Sequence, residues 1–287
     1  MGFVLLTDST CDLSMQQLEE NDIGCLPMAA TLGETSYTHY PDGREMSYEE
    51  FYRRLRAGEM PSTSAVNVSD WSNSIEANLE KSREILIIAF SSALSSTYAN
   101  ASLVAKEMME KHDCKIVVID SLAASAGEGL IVMEAARMRR EGKSLDETAA
   151  AIDALLPHVA HWFTVDDLHH LHRGGRVSAA TAIVGSALGI KPVLHTDDQG
   201  RLINVDKARG RKKSLLALLE RLKQTITQPE GPIFISHGDC RQDAEYLAGE
   251  IKKLYPVKEI VINMIGPIVG GHSGANTVAL FFVAEHR

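Results

Sequence analysis

The stretch Gly271-His272-Ser273-Gly274-Ala275 departs by one alanine from Gly-x-Ser-x-Gly, the turn that exposes a nucleophilic serine in many hydrolases. An activated Ser273 would need a base and an acid elsewhere. In the elbow arrangement these follow the serine on further strands. Here the sequence continues ANTVALFFVAEHR, which reads as a single β-branched and aromatic strand with Glu285 and His286 just beyond it. Chain order therefore gives a Ser273 hydrolase no support, although a triad is defined by geometry and not by order. A second group, His158, His161, His169, His170 and His172, has H-x-x-H spacing without a carboxylate partner. It reads as packed or solvated histidines before it reads as a metal site. A third signal is collective. Asp8-Ser9-Thr10, Ser91-Ser92, Asp120-Ser121 and Ser236-His237 each close an apolar run. Hydroxyls and free helix amides beyond the carboxyl ends of parallel strands build an anion site without net positive charge. A single serine in that position is ordinarily a helix cap.

The elements that must position these groups alternate. FVLLTDST, REILIIAFSS and KIVVIDS are continuous apolar runs, as in strands covered on both faces. Between and after them STYANASLVAKEMMEKH, GEGLIVMEAARMRREG and SLDETAAAIDALLPH read as helices, the last opened by a Ser144/Glu147 capping box. Strand, helix, strand at this spacing implies right-handed crossovers and a parallel sheet. Beyond Pro157, HWFTVDDLHHLHRGGRVS is polar and glycine-punctuated, and TAIVGSALGI reads as a helix. KPVLHT and RLINVDK, split by Asp198-Gln199-Gly200, read as a hairpin. The helix RKKSLLALLERLKQ, the strand PIFISHG, the helix CRQDAEYLAGEIKKLY and the strand EIVINMI follow. The expected fold class is α/β in two domains, 1–155 with a parallel sheet and 156–287 with a mixed one. AGEMPSTSAVNVS is expected to be a loop between them.

Composition narrows the function classes. A 45% hydrophobic, 23% charged chain is that of a water-soluble globular protein. No run approaches the ~20 apolar residues of a spanning helix, and the opening MGFVLLTDSTCD lacks the basic flank and long apolar core of a signal peptide. The four cysteines, Cys11, Cys25, Cys114 and Cys240, form no C-x-x-C pair, which suits a reducing cytoplasm. A net charge of −9 disfavours nucleic acid and anionic membrane as partners.

TDST at the start, PSTS from Pro61, SSALSSTYANA from Ser91, IDS from Ile119, LHRGGRVS from Leu171, GSALGIKPVL from Gly185, ARGRKK from Ala208 and IGPIVGGHSGAN from Ile265 occur in that order. In this series, which spans the whole chain, the sequence resembles the DegV family, whose characterised members include the fatty-acid-binding B subunits of bacterial fatty-acid kinase. The resemblance implies a two-domain α/β carrier that encloses a long acyl chain. A separate kinase subunit would phosphorylate the carboxylate for phospholipid synthesis. It implies neither catalysis by the chain itself nor any cofactor. Carried over by motif, it implies head-group contacts from Thr63, Ser64, Ser95 and His272. It also implies that Arg176 and Arg209 lie near the ligand mouth and the kinase-facing surface. Ser121, at one of the hydroxyl-rich strand ends, joins the ligand-binding candidates.

Three departures stand out. Ser96 replaces a glycine of the family's SGTY, Ala275-Asn276 replace the Pro-Gly of HxGPG, and Ala65-Val66-Asn67 replace QPS. A Cβ at position 96 would be strained if that backbone needed a positive φ. The physical case for hydroxyls stands apart from the family. Serine and threonine donors orient a carboxylate while leaving it more nucleophilic than a charged bidentate clamp would. Acyl methylenes, at ~0.8 kcal/mol each when buried, would supply the affinity. The rivals are a hydrolase or acyltransferase using Ser273 or Ser95, and a regulatory module for a polar ligand such as a phosphate or sugar.

Overall fold

The computed structural model describes residues 2–166, 168–178 and 189–287. The first part runs β1 (Val4–Asp8), α1 (Met15–Glu20), β2 (Ile23–Leu26), β3 (Met28–Leu32), β4 (Thr35–His39), α2 (Tyr48–Arg56), β5 (Ser62–Ser64) and α3 (Val68–Leu79). It continues with β6 (Glu84–Ala89), α4 (Thr97–Lys111), β7 (Lys115–Asp120), α5 (Ala126–Arg140) and α6 (Leu145–Leu155). The second part runs β8 (Val159–Thr164), α7 (His169–Arg173), β9 (Ile190–Thr196), β10 (Leu202–Arg209) and α8 (Arg211–Thr225). It closes with β11 (Ile233–His237), α9 (Arg241–Leu254), β12 (Ile260–Met264), α10 (Pro267–Ser273) and β13 (Val278–Val283).

Strands β2-β1-β6-β7 form a parallel sheet, with Leu5 opposite Ile23 and Leu6 opposite Ile87. The continuous apolar run of β6 is what two covered faces require. Ile85 and Ile87 pack with Trp71, Ile75 and Val104 of α3 and α4, whereas Leu86 and Ile88 pack with Leu130 and Ile131 of α5. The Ser144/Glu147 capping box opens α6 as expected. The second sheet has the order β10-β9-β8-β13-β11-β12, antiparallel throughout except for β11 beside β12. The architecture is thus the expected α/β pairing of a parallel with a mixed sheet. The helix expected in TAIVGSALGI, residues 181–190, lies outside the described residues up to 188, and Ile190 begins β9.

Two readings need correction. His161-Trp162-Phe163-Thr164, taken as the start of a polar segment, is the body of β8 near the middle of the mixed sheet. Its histidine and threonine are buried, so hydropathy hid the strand. AGEMPSTSAVNVS is not simply a loop. Its Ser62–Ser64 pairs with Thr31–Ala29 of β3 in a small antiparallel sheet, β4-β3-β5. Three polar residues show no period of their own; the neighbouring strand makes them a strand.

Helix α5 joins the two large sheets. Residues 125–132 are all buried, so this helix start has no solvent face. Gly127 abuts His161 and Phe281 of the mixed sheet, where a Cβ would lie 2.4 Å from His161 Nε2. Two residues on, and so on the opposite side of the helix, Gly129 abuts the Cys11 carbonyl and Leu13, with a Cβ 2.6 Å from that oxygen. One apolar cluster consequently runs from Phe3 and Leu5 through Leu130 to Phe163, Phe281 and Val283. Among the described residues no helix is long and apolar enough to cross a membrane.

Candidate ligand-binding cavity

A narrow cavity with a volume of about 90 Å³ opens beside α5. Phe163, Ala279, Phe281 and Leu202 from the mixed sheet, with Phe90, Leu94, Ile265 and Ile268, make most of its wall apolar. Thr63 and Ser64 of β5, Ser95, Arg176, His272 and Ser273 gather at one end, and Ser125, His161, Thr196 and Thr277 add polar groups elsewhere in the lining.

Each of these is held by its local structure. Thr63 Oγ1 lies 2.8 Å from His272 Nε2, joining the small sheet to the end of α10. Ser95 Oγ lies 3.0 Å from Thr97 Oγ1 and accepts from Thr97 N in the first turn of α4. Thr97 Oγ1 in turn accepts from Val66 N, and Asn100 Nδ2 donates to the Val66 carbonyl at 2.8 Å, so α4 pins the chain just after Ser64. Arg176 donates from Nε and Nη2 to the Leu94 carbonyl, at 3.2 and 2.9 Å, fixing the residue before Ser95.

The departures from the family pattern find physical explanations here. Ser96 has φ −80°, so its Cβ costs nothing and the expected strain is absent. Asn276 has φ 62°, a left-handed conformation that asparagine tolerates where most residues do not. Its Nδ2 donates to Asp166 Oδ2 at 2.7 Å. Val66 is fully buried beside Trp71 and Val104, and Asn67 caps α3 by accepting from Asp70 N.

The polar end carries one cation, Arg176, beside a neutral histidine. Burial, and then the nearby Arg176 guanidinium, push His272 down to about 4, so its imidazole is neutral near neutral pH. Burial also lowers Arg176 from the usual guanidinium range. Behind the wall lies an acidic group. Ser125, which lines the cavity, donates to Asp12 Oδ2 and lies 2.8 Å from Ser236 Oγ. Burial pushes the Asp12 carboxyl up to about 7 despite hydrogen bonds from Ser125 and from Gly266 N. Further back, Thr10 Oγ1 lies 2.6 Å from Asp8 Oδ1 and 2.8 Å from Glu128 Oε2. One hydroxyl has one proton to donate, so one carboxyl must carry a proton of its own. Burial and the neighbouring Asp8 raise Glu128 well above the carboxylate range, and burial raises Asp8 in the same direction.

The residues singled out from sequence are distributed as follows. Thr63, Ser64, Ser95, Arg176 and His272 line the polar end. Ser121 does not line the cavity: its Oγ accepts from Ala123 N at 3.2 Å, closing its own turn. Arg209 ends β10, opposite Ile190, and is exposed away from the cavity wall. Lys191, opposite Ala208 beside it, pairs with Asp166 at 2.5 Å. Ser273 Oγ is buried with no hydrogen-bond partner among the described residues, so no base contacts it. Ser125 and Asp12 escaped sequence reasoning. The only signal was TDSTCD followed far along the chain by a serine opening a helix, and neither shows that the two meet.

A family model described as an uncharacterised protein of the DegV family matches residues 3–285. A DegV domain-containing protein of Clostridium perfringens is 44% identical over 288 residues, covering 99% of this chain and 98% of that one. The structure of a DegV lipid binding protein from Thermotoga maritima gives a TM-score of 0.89 at 29% identity, covering 100% of both chains. A DegV family protein from Thermus thermophilus, described for its fatty acid binding, gives a TM-score of 0.89 at 27% identity over 99% of this chain and 100% of that one.

Proposed function

The chain belongs to the DegV family, and from that premise we propose that it is a carrier that encloses a long-chain fatty acid and presents the carboxylate to a separate kinase subunit. The observation that carries the reading is the division of one cavity into an apolar body and a hydroxyl-lined end. An acyl chain of about 16 carbons has ample driving force at ~0.8 kcal/mol per buried methylene. The head group would meet Thr63, Ser64, Ser95 and His272, neutral donors that orient it without neutralising it. Ser273 Oγ offers one more donor there. Arg176 stands where charge would grow as a phosphoryl group arrives, and Arg209 belongs to the surface facing the kinase. The two lipid-binding neighbours named above support the acyl-chain part, and the resemblance in motifs supports the kinase part. The carrier would work in the cytoplasm, and residues 1–155 and 156–287 would be its two domains.

A hydrolase reading lacks an activated nucleophile, since Ser273 Oγ has no base among the described residues and Ser95 Oγ is engaged with Thr97. A polar-ligand module does not account for the apolar walls. Organic extraction of the purified protein, followed by mass spectrometry and a direct binding titration, tests the proposal. A bound long-chain acid, or saturable binding of one added, is the expected result. Binding of a phosphorylated metabolite or sugar with no affinity for any long-chain acid would overturn it.

A further inference from the structure

Ser95 lines the cavity with a hydroxyl that has one proton to give, and the residue behind it decides where that proton points. Ser95 Oγ accepts from Thr97 N at 3.3 Å and lies 3.0 Å from Thr97 Oγ1. Among the described residues it has no other hydrogen-bond partner. Thr97 is fully buried at the start of α4 and does not line the cavity. Its Oγ1 accepts from Val66 N at 3.3 Å and lies 3.9 Å from Met28 Sδ. Val66 stands two residues after Ser64, so one buried hydroxyl sits between two of the motifs that line the polar end.

Two hydroxyl protons have two possible arrangements here. In the first, Ser95 donates to Thr97 Oγ1 and Thr97 donates to Met28 Sδ. In the second, Thr97 donates to Ser95 Oγ and the Ser95 proton turns outward. The first leaves the Thr97 proton on a thioether, a weak acceptor, at the longer distance. The second gives it an oxygen at 3.0 Å. Ser95 Oγ then accepts twice, from Thr97 N and from the Thr97 hydroxyl, and the cavity is the direction left for its own proton. A carboxylate accepts and cannot donate, so a bound carboxylate favours the second arrangement.

We propose that Thr97 is a positioning residue for the head group: its hydroxyl donates to Ser95 Oγ, which turns the Ser95 proton toward the cavity and strengthens it as a donor to a carboxylate. The inference rests on the cavity being a fatty-acid site. Hydrogen bonds in a chain polarise one another, so a Ser95 hydroxyl that receives one gives a stronger one. Thr97 itself never touches the ligand, and no covalent step is involved. Donors aimed at the charged form lower the pKa of a carboxyl. The relay therefore keeps the bound acid ionised to a lower pH, and that midpoint reads it apart from the affinity of the acyl chain.

The test is a pH titration of bound, carboxyl-labelled hexadecanoic acid followed by carbon NMR. It is run on the wild-type chain, Thr97→Val, Thr97→Ser, Ser95→Ala and the double variant Ser95→Ala with Thr97→Val. The bound carboxyl should titrate about one unit higher in Thr97→Val than in the wild type, a roughly tenfold loss of preference for the ionised form. Thr97→Ser keeps the hydroxyl and should titrate with the wild type. In the Ser95→Ala background, Thr97→Val should add no further shift, because the relay has lost its outlet. Thr97→Cys, whose thiol donates weakly, should lie between; it decides if Thr97→Val does not fold, and a wild-type midpoint there overturns the proposal. An unchanged midpoint in Thr97→Val overturns it equally and leaves the carrier reading intact. A shift that persists undiminished without Ser95 also overturns it, since Thr97 would then act through Val66. A wild-type chain that binds no long-chain acid overturns the relay together with the carrier reading.

Discussion

Replacing Asp12 with asparagine should change how stability depends on pH. The carboxyl is 4% exposed, accepts from Gly266 N at 2.8 Å and from Ser125 Oγ, and is pushed by burial from 3.8 up to about 7. A carboxyl with a higher pKa folded than unfolded holds more protons in the folded state between those two values. Its contribution is fully present below the unfolded pKa and is lost as pH rises through the folded one. A shift of about three units, at ~1.36 kcal/mol per unit, sets a ceiling of about 4 kcal/mol on that loss. Asparagine keeps an acceptor for Gly266 and cannot ionise. The stability of the variant minus that of the wild type should therefore climb by about 2–4 kcal/mol between about pH 4 and about pH 8. Using the difference cancels the buried histidines, whose effect has the opposite sign. His272 and His39 are pushed down to about 4 and about 3, so their contributions are lost as pH falls below the ordinary imidazole range. Urea unfolding at a series of pH values, followed by tryptophan fluorescence, provides the measurement, with equal m-values as the check on the unfolded state. A difference that is flat, or that falls as pH rises, would refute the reasoning. Asp12 would then be ionised throughout, with its two hydrogen bonds outweighing burial.

Thr63→Val should cost about 1–3 kcal/mol of stability, because it strips His272 Nε2 of its partner while Nδ1 has none among the described residues; an unchanged melting temperature would mean the pair contributes nothing. Adding a long-chain fatty acid should raise the His272 pKa from about 4, since an opposite charge favours the imidazolium. An NMR titration reads this, and an identical midpoint with and without lipid would leave His272 a structural residue. Arg209→Ala should leave fatty-acid binding intact and slow phosphorylation by a kinase partner, with a weaker salt dependence than wild type. Loss of lipid with normal turnover on what remains bound would put Arg209 in the pocket.

The parallel sheet was legible because Ile85 to Ala89 and Ile116 to Ile119 are apolar at every position, a pattern that two covered faces demand. Strand β8 was not legible, because His161 and Thr164 are polar letters at buried positions and the sequence does not show what surrounds them. Thr63, Ser95, Arg176 and His272 come from distant motifs, and their ordered resemblance to a family was the signal that grouped them. Ser121 shows the limit of that approach. A serine after a strand reads the same whether it faces a ligand or closes its own turn, and here Ala123 N takes it. The φ of position 96 and that of position 276 were equally hidden, since backbone conformation depends on what the neighbouring chain allows.

The all-buried start of α5 also has a consequence in time. One side of this helix is covered by strands made before it, the other by strands made after it. During synthesis the parallel sheet can assemble while the side that will meet His161 and Phe281 is still bare. At about 5–20 residues per second, the chain from α5 to β13 takes roughly 7–30 s to emerge. For that interval the nascent protein displays an apolar surface that the finished one conceals. A chaperone acting on this chain should therefore be needed before β8 and β13 arrive, and released once they do.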